Sequence, residues 1–246
     1  GADVLHKLRN HKVNVDYMRT IPDGMGTWLA VFDNNGDVAG SISKRPNMLP
    51  VLDLLEEKGD EIFSNADSVV LEVDLDKEIV KRVLDLVQKH GKKIFALVSN
   101  MSLAAERRDL IKRFDCFICN QQEAGLLFLD DYTGIAPLQM QDVLAEKVLR
   151  AKFPLMVVTM GADGAVYADI HGNKGYCPAR NVQVKDTTGA GDAFCAGVVI
   201  GLTYGKNMAQ ACEIGAHLAA SVITTGENVC PRFLPQELGL DIDVAD

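Results

Sequence analysis

The stretch Asp186-Thr187-Thr188-Gly189-Ala190-Gly191-Asp192-Ala193-Phe194 joins two different kinds of sequence. Ahead of it, Val182 and Val184 alternate with polar residues, as in a short strand. Behind it, Ala193 to Leu202 is small and apolar, as in a buried helix. The glycines therefore fall where a loop turns into a helix N-terminus. There the first backbone N–H groups have no intrahelical partner, and the helix dipole favours negative charge. Glycine lets a bulky anion come close to that backbone. Asp186, Thr187 and Thr188 are the candidate caps, which leaves Asp192 inside the first turn as a carboxylate beside an anion hole. That pairing suits phosphoryl transfer to an alcohol. The hole stabilises charge on the moving group, and the carboxylate accepts the hydroxyl proton. The competing reading is an ordinary glycine-rich turn with a capping Asp. The stretch is not a Walker A loop, because no Gly-Lys-Ser/Thr follows. Nor is it a dinucleotide fingerprint, because Phe194 stands where that motif needs its third glycine.

Working outward, the preceding chain alternates between helical and strand-like spacing. Val51 to Glu57 and Lys77 to His90 read as helices, the second closed by Gly91 as a C-cap. Ser68 to Val73, Lys93 to Val98, Cys116 to Cys119 and Leu155 to Thr159 read as strands. Helices over Leu103 to Phe114 and Met140 to Lys152 lie between them. The alternation predicts an α/β fold, a mostly parallel sheet sandwiched by helices, in one domain over 1–246. In such sheets ligands bind at the C-terminal strand ends. Further out, Gly1 to Asp16 reads as an amphipathic helix. Gly26 to Phe32, the turn Asp33-Asn34-Asn35-Gly36-Asp37 and Val38 to Ile42 read as a β-hairpin. Tyr176 to Val184 leads into the opening stretch through short strands. Beyond that stretch, Ala193 to Tyr204 and Met208 to Thr224 are two apolar helices whose small residues allow close packing.

Two polar motifs fall at predicted C-terminal strand ends. Asn120-Gln121-Gln122-Glu123 puts Asn120 and Glu123 on one face of a helix start. A carboxylate there can order water around Mg²⁺, and a plain capping box is the alternative. Thr159-Met160-Gly161-Ala162-Asp163-Gly164 offers a hydroxyl and two glycines that let backbone approach a ligand, or a tight turn into a strand over Ala165 to Ala168. His217 is a lone histidine on an apolar helix face, where a packed core residue is the plainer reading.

Bulk properties narrow the function. The chain has 246 residues, 48% hydrophobic and 24% charged, with net charge −9 and no basic run, which argues against a nucleic-acid partner. There is no apolar run of transmembrane length and no signal-peptide pattern at Gly1, so no membrane partner is expected. Six cysteines are scattered. Cys116-Phe117-Ile118-Cys119 has CxxC spacing but falls inside a strand-like run with no second pair, which favours buried thiols in a reducing cytoplasm.

Asp186 to Phe194 closely resembles the C-terminal signature of the ribokinase-like (PfkB) family of sugar and nucleoside kinases. The resemblance implies Asp192 as catalytic base and Gly189, Ala190 and Gly191 as the anion hole. Asn120 and Glu123 match an Asn-x-x-Glu motif that positions Mg²⁺ and phosphates in the family. Thr159, Gly161 and Gly164 match a turn bordering the ATP phosphates and ribose, and His217 falls on the helix that lines the adenine pocket. Thr225-Gly226-Glu227-Asn228 resembles a loop that holds a monovalent cation such as K⁺ in many relatives. The hairpin over 26–47 matches a small β lid, with Thr27 and Asn47 near family positions. The implied function is an ATP-dependent kinase acting on a hydroxymethyl group of a sugar or nucleoside. A non-catalytic nucleotide-binding protein on the same fold is the alternative, and a dinucleotide-dependent oxidoreductase is disfavoured. The family's usual opening strand, acidic substrate-binding residue and Gly-Gly motif followed by Asn find no match, so a truncated chain or a divergent member is expected. A sheet lacking those strands would expose an unpaired edge, so self-association as a homo-oligomer, or low stability, is expected as well.

Overall fold

A computed structural model describes residues 1–22, 24–32, 38–98, 106–231 and 233–241. Helix α1 (Ala2–Asn10) comes first, then a separate two-stranded antiparallel sheet of β1 (Thr27–Phe32) and β2 (Val38–Lys44). Helix α2 (Leu49–Asn65) leads into a six-stranded sheet. In chain order its elements are β3 (Ser68–Glu72), α3 (Lys77–His90), β4 (Lys93–Leu97), α4 (Arg108–Ile111), β5 (Cys116–Asn120), α5 (Gln121–Phe128), α6 (Pro137–Ala151), β6 (Leu155–Thr159), β7 (Ala165–Asp169) and β8 (Lys174–Cys177). Helices α7 (Ala190–Thr203) and α8 (Met208–Ile223) follow. The strands lie side by side in sequence order. They are parallel from β3 to β6 and antiparallel from β6 to β8. The expected mostly parallel, helix-covered sheet is therefore present.

Successive strand residues point to opposite faces, and the sequence fills both with apolar side chains. Ile94, Phe117, Met156, Val158 and Val166 join one core with α2, α3 and α6. Phe95, Cys116, Ile118, Val157 and Ala165 join a second core with α7 and α8. The Cys116 and Cys119 thiols sit on opposite faces of one strand, both buried. Burial pushes the Cys195 thiol up to about 12 and those of Cys116 and Cys119 well above the ordinary value. The cysteines are free, as the strand-like spacing implied.

Several expected boundaries move. The first helix stops at Asn10 rather than Asp16, because Lys12 turns left-handed and no helix residue is buried to extend it. The helix expected over 51–57 runs from Leu49 to Asn65, held by buried Leu55, Gly59 and Phe63. The helix expected over 103–114 is Arg108–Ile111, and 103–105 lie outside the described residues. The hairpin turn 33–37 lies outside them too. No strand forms over 178–184. β8 ends at Cys177, Val184 is exposed, and the Lys185 N–H donates to the Ile223 carbonyl instead of to a sheet neighbour.

Helices α7 and α8 pack at glycine contacts. A Cβ at Gly197 would stand 2.6 Å from the Gly215 backbone, and one at Gly201 2.8 Å from Ala211. Backbone cannot give way as a flexible side chain can. Gly197→Ala is therefore expected to destabilise the chain by about 1–3 kcal/mol through overpacking. A calorimetric melt checks this, with Gly191→Ala as comparison for helix position, since a Cβ there meets nothing.

Candidate active site

Helix α7 places the glycine stretch. At its far end the Thr203 hydroxyl bonds Ser68 Oγ at 2.8 Å, and Lys93 Nζ donates to the Leu202 carbonyl at 3.2 Å. Ser68 and Lys93 begin β3 and β4, so α7 ends where those strands start. Its N-terminus therefore lies at the C-terminal ends of the parallel strands, the side where such sheets bind ligands. The same edge carries Asn120 and Thr159, which are register partners at the ends of β5 and β6. Thr159 in turn pairs with Ala165, and Ala165 with Cys177.

The cap differs from expectation. Gly189, not Asp186, Thr187 or Thr188, is the N-cap, at φ 83°. Asp186 instead accepts the Thr188 N–H at 2.9 Å, which makes it an Asx turn and holds its carboxyl below the usual range. A Cβ at Gly189 would lie 2.5 Å from the Asn228 carbonyl, so the loop after α8 and the positive φ both require glycine there. The Ala190 N–H donates to the Thr187 carbonyl at 3.1 Å. Among the described residues, the amides of Gly189, Gly191 and Asp192 make no hydrogen bond, and the space over Gly191 is open. Asp192 is exposed in the first turn. The result is an uncapped helix N-terminus with a carboxylate at its mouth.

Asn120 and Glu123 form a reciprocal capping box on α5. The Glu123 N–H donates to Asn120 Oδ1 at 2.8 Å, and the Asn120 N–H donates to Glu123 Oε2 at 2.7 Å. The plain reading of this motif is thus realised, and it also fixes the Glu123 carboxylate at the strand-end edge, half-buried. Burial raises the Glu123 carboxyl above its ordinary value, the Asn120 amide opposes the rise, and repulsion from Asp74 adds to it. One carboxylate with room for solvent suits Mg²⁺, which keeps most of its waters.

The Thr159 turn closes as a 3₁₀ segment, Gly161–Asp163, with the Met160 N–H donating to the Gly164 carbonyl at 2.7 Å. Gly164 has a steric duty within the chain, because a Cβ there would lie 2.2 Å from the Cys177 carbonyl and 2.7 Å from the Ala179 nitrogen. Gly161, at φ 59°, has open space above it. The His217 ring packs against Phe233 at 4.9 Å, tilted by 56°, and lines a cavity of about 360 Å³ with Arg180, Gln210, Glu213 and Glu237. Burial and the Arg180 charge lower its pKa, which favours the neutral ring, while Glu237 opposes them. The sequence reading missed Asp74, a buried carboxylate just beyond β3. Its signal was a polar residue directly after an apolar strand in the row of strand ends.

Comparison with known proteins fits this geometry. Residues 1–230 match the model of the pfkB family of carbohydrate kinases. The chain is 33% identical to a guanosine-inosine kinase of Exiguobacterium acetylicum over 95% of this chain and 77% of that one. Its fold superposes on Arabidopsis thaliana ribokinase complexed with ribose and ATP with a TM-score of 0.71 at 20% identity, covering 89% of this chain and 70% of that one. It superposes on a Burkholderia thailandensis nucleoside kinase in complex with inosine with a TM-score of 0.69 at 18% identity, covering 92% and 70%. The class is that of phosphotransferases acting on sugars and nucleosides. The chain belongs to the pfkB family of carbohydrate kinases. No helix among the described residues is long and apolar enough to cross a membrane.

Glu123 carries a stability signature that tests its setting. Its carboxyl is raised in the fold, so the folded chain retains a proton that the unfolded chain has released. Its favourable contribution is full below the unfolded value and is lost as pH rises through the folded one. Glutamine keeps a capping acceptor without the charge. Glu123→Gln is expected to raise the melting temperature at pH 7 and to change it little at pH 4. A melt equal to or below wild type at pH 7 contradicts the assigned environment.

Proposed function

We propose that this chain transfers the γ-phosphoryl group of ATP to the hydroxymethyl group of a nucleoside. The observation that carries the reading is the uncapped N-terminus of α7, with Asp192 in its first turn, at the C-terminal ends of the parallel strands. Asp192 accepts the proton of the attacking hydroxyl. The amides of Gly189 and Gly191 stabilise charge on the phosphoryl group, and the Ala190 amide keeps the turn in shape. Asn120 orients Glu123, whose carboxylate would hold Mg²⁺ through water, and the metal would neutralise phosphate charge. Thr159 and Gly161 border the phosphates, while Gly164 shapes their turn. A K⁺ ion would find backbone carbonyls in the 225–228 loop beside Gly189.

The nucleotide has a path of suitable length. The C-terminal end of α8 abuts the glycine stretch through the Ile223 carbonyl and Lys185 N–H. His217 and Glu213 lie six and ten residues back along α8, roughly 9 and 15 Å at 1.5 Å per residue. A triphosphate seated at α7 reaches the His217 cavity with its base. The guanosine-inosine kinase relative favours a nucleoside acceptor over a free sugar. The β1–β2 hairpin would cover that acceptor as a lid.

The site and its partners are testable separately. Titration with ATP is expected to show binding that needs Mg²⁺, and inosine, guanosine and ribose are then assayed as acceptors. A folded chain that binds no nucleotide would overturn the reading. Asp192→Asn is expected to lower turnover by at least about a hundredfold with little change in ATP affinity, as for loss of a general base. Near-normal turnover removes Asp192 from that role. We also propose a cytoplasmic homo-oligomer. Trp28, Leu29, Val31 and Ile42 of the hairpin are exposed, and so is Val70 on the edge strand β3. Sedimentation at micromolar concentration is expected to show self-association, and a monomer across that range contradicts it.

A further inference from the structure

The β1–β2 hairpin is joined to the rest of the molecule at a narrow root. Thr27 and Lys44 are register partners there, and a Cβ at Gly26 would lie 3.2 Å from Pro46 Cδ and 3.4 Å from the Lys44 carbonyl. Beyond the root, β1 and β2 make their main contacts with each other. An isolated two-stranded hairpin is marginally stable by itself. Something at the root has to set its direction.

Arg45, the first residue after β2, is placed to do so. Its Nη1 donates to the Asp74 carbonyl at 2.8 Å and its Nη2 to Asp74 Oδ2 at 3.0 Å. The two bonds use the guanidinium as a fork, which fixes orientation as well as distance. Asp74 is only 5% exposed, whereas the Arg45 side chain is half exposed. The turn that carries Asp74 is itself pinned. The Val73 N–H donates to the Leu97 carbonyl at 3.1 Å, and Arg107 Nη1 donates to the carbonyls of Val73 at 2.8 Å and of Leu75. The far side of the strut is therefore rigid. Asp74 also repels Glu123 at the strand-end edge, so the root of the hairpin and the proposed metal-organising carboxylate share one electrostatic neighbourhood.

We propose that the Arg45–Asp74 pair is the strut that sets the angle of the β1–β2 hairpin over the strand-end cleft, making Arg45 a positioning residue. The inference rests on the reading of the hairpin as a cover over that cleft. Arginine is required because lysine offers one charge without the fork. Arg45 bonds Asp74 and none of the proposed site residues, so nucleotide binding is expected to survive its loss.

Hydrogen exchange of the amides of 27–32 and 38–44 tests this in the full chain, comparing wild type, Arg45→Met and Arg45→Lys. Arg45→Met is expected to speed hairpin exchange about tenfold, the scale of losing one charge-assisted bidentate contact, while β4 to β6 exchange as in wild type. Arg45→Lys is expected to fall between. Unchanged hairpin exchange, hairpin amides already unprotected in wild type, or acceleration spread evenly over the whole sheet would each overturn the strut. MgATP titration of the same samples separates the two readings. Wild type that binds no MgATP removes the proposed function, while the exchange pattern still decides the strut.

Discussion

The near-contact of α7 and α8 at Gly197 and Gly215 governs the rest of the arrangement. With no side chain between them, the two helices lie together against one face of the sheet, and Phe194 of α7 rests on Gly215 of α8. That approach brings the end of α8 to the start of α7. Ile223 then receives the Lys185 amide, and the Asn228 carbonyl is pressed against Gly189. That closeness excludes a side chain at Gly189, whose left-handed conformation forms a cap with no side-chain bond, and the uncapped amides follow from it. The uncapped terminus of one helix is thus a consequence of packing between two helices.

The sheet supplies the other half. Parallel strands put all their C-terminal ends on one edge, so Asp74, Asn120 and Thr159, far apart in sequence, share a level. The antiparallel β7 and β8 then carry the chain back to the same edge before the glycine stretch begins. Most polar groups on this edge have a structural duty of their own. Asn120 and Glu123 cap a helix, Gly164 clears a backbone, and Asp186 closes a turn. Asp192 is exposed, and among the described residues its side chain makes no hydrogen bond. That contrast supports the proton transfer proposed for it.

Glu123 sits in a setting unfavourable to its charge. A half-buried carboxylate beside Asp74 is a costly choice for a capping residue when glutamine would cap as well. A negative charge at this position is what the proposed Mg²⁺ role would need. The buried thiols show the opposite case. Cys116, Cys195 and Cys212 fill small spaces between sheet and helices, and burial keeps them protonated.

The sequence by itself determined the elements and the glycine stretch. Apolar spacing marked β3 to β6 and the helices between them, and Asp186 to Phe194 announced a loop entering a helix with Asp192 in its first turn. Local chemistry fixes these features, so they are legible locally. The cap, the missing strand over 178–184 and the role of Gly164 were decided by tertiary structure. Each depends on backbone from a distant segment: Asn228 against Gly189, Ile223 bonding Lys185, and Cys177 to Ala179 against Gly164. Asp74 and Arg45 belong to the same class. Asp74 shows only as a polar residue after an apolar strand and Arg45 not at all, and only the folded chain brings a half-exposed guanidinium onto a buried carboxylate 29 positions away. Steric exclusion and ion pairing act between segments that a linear pattern cannot place together.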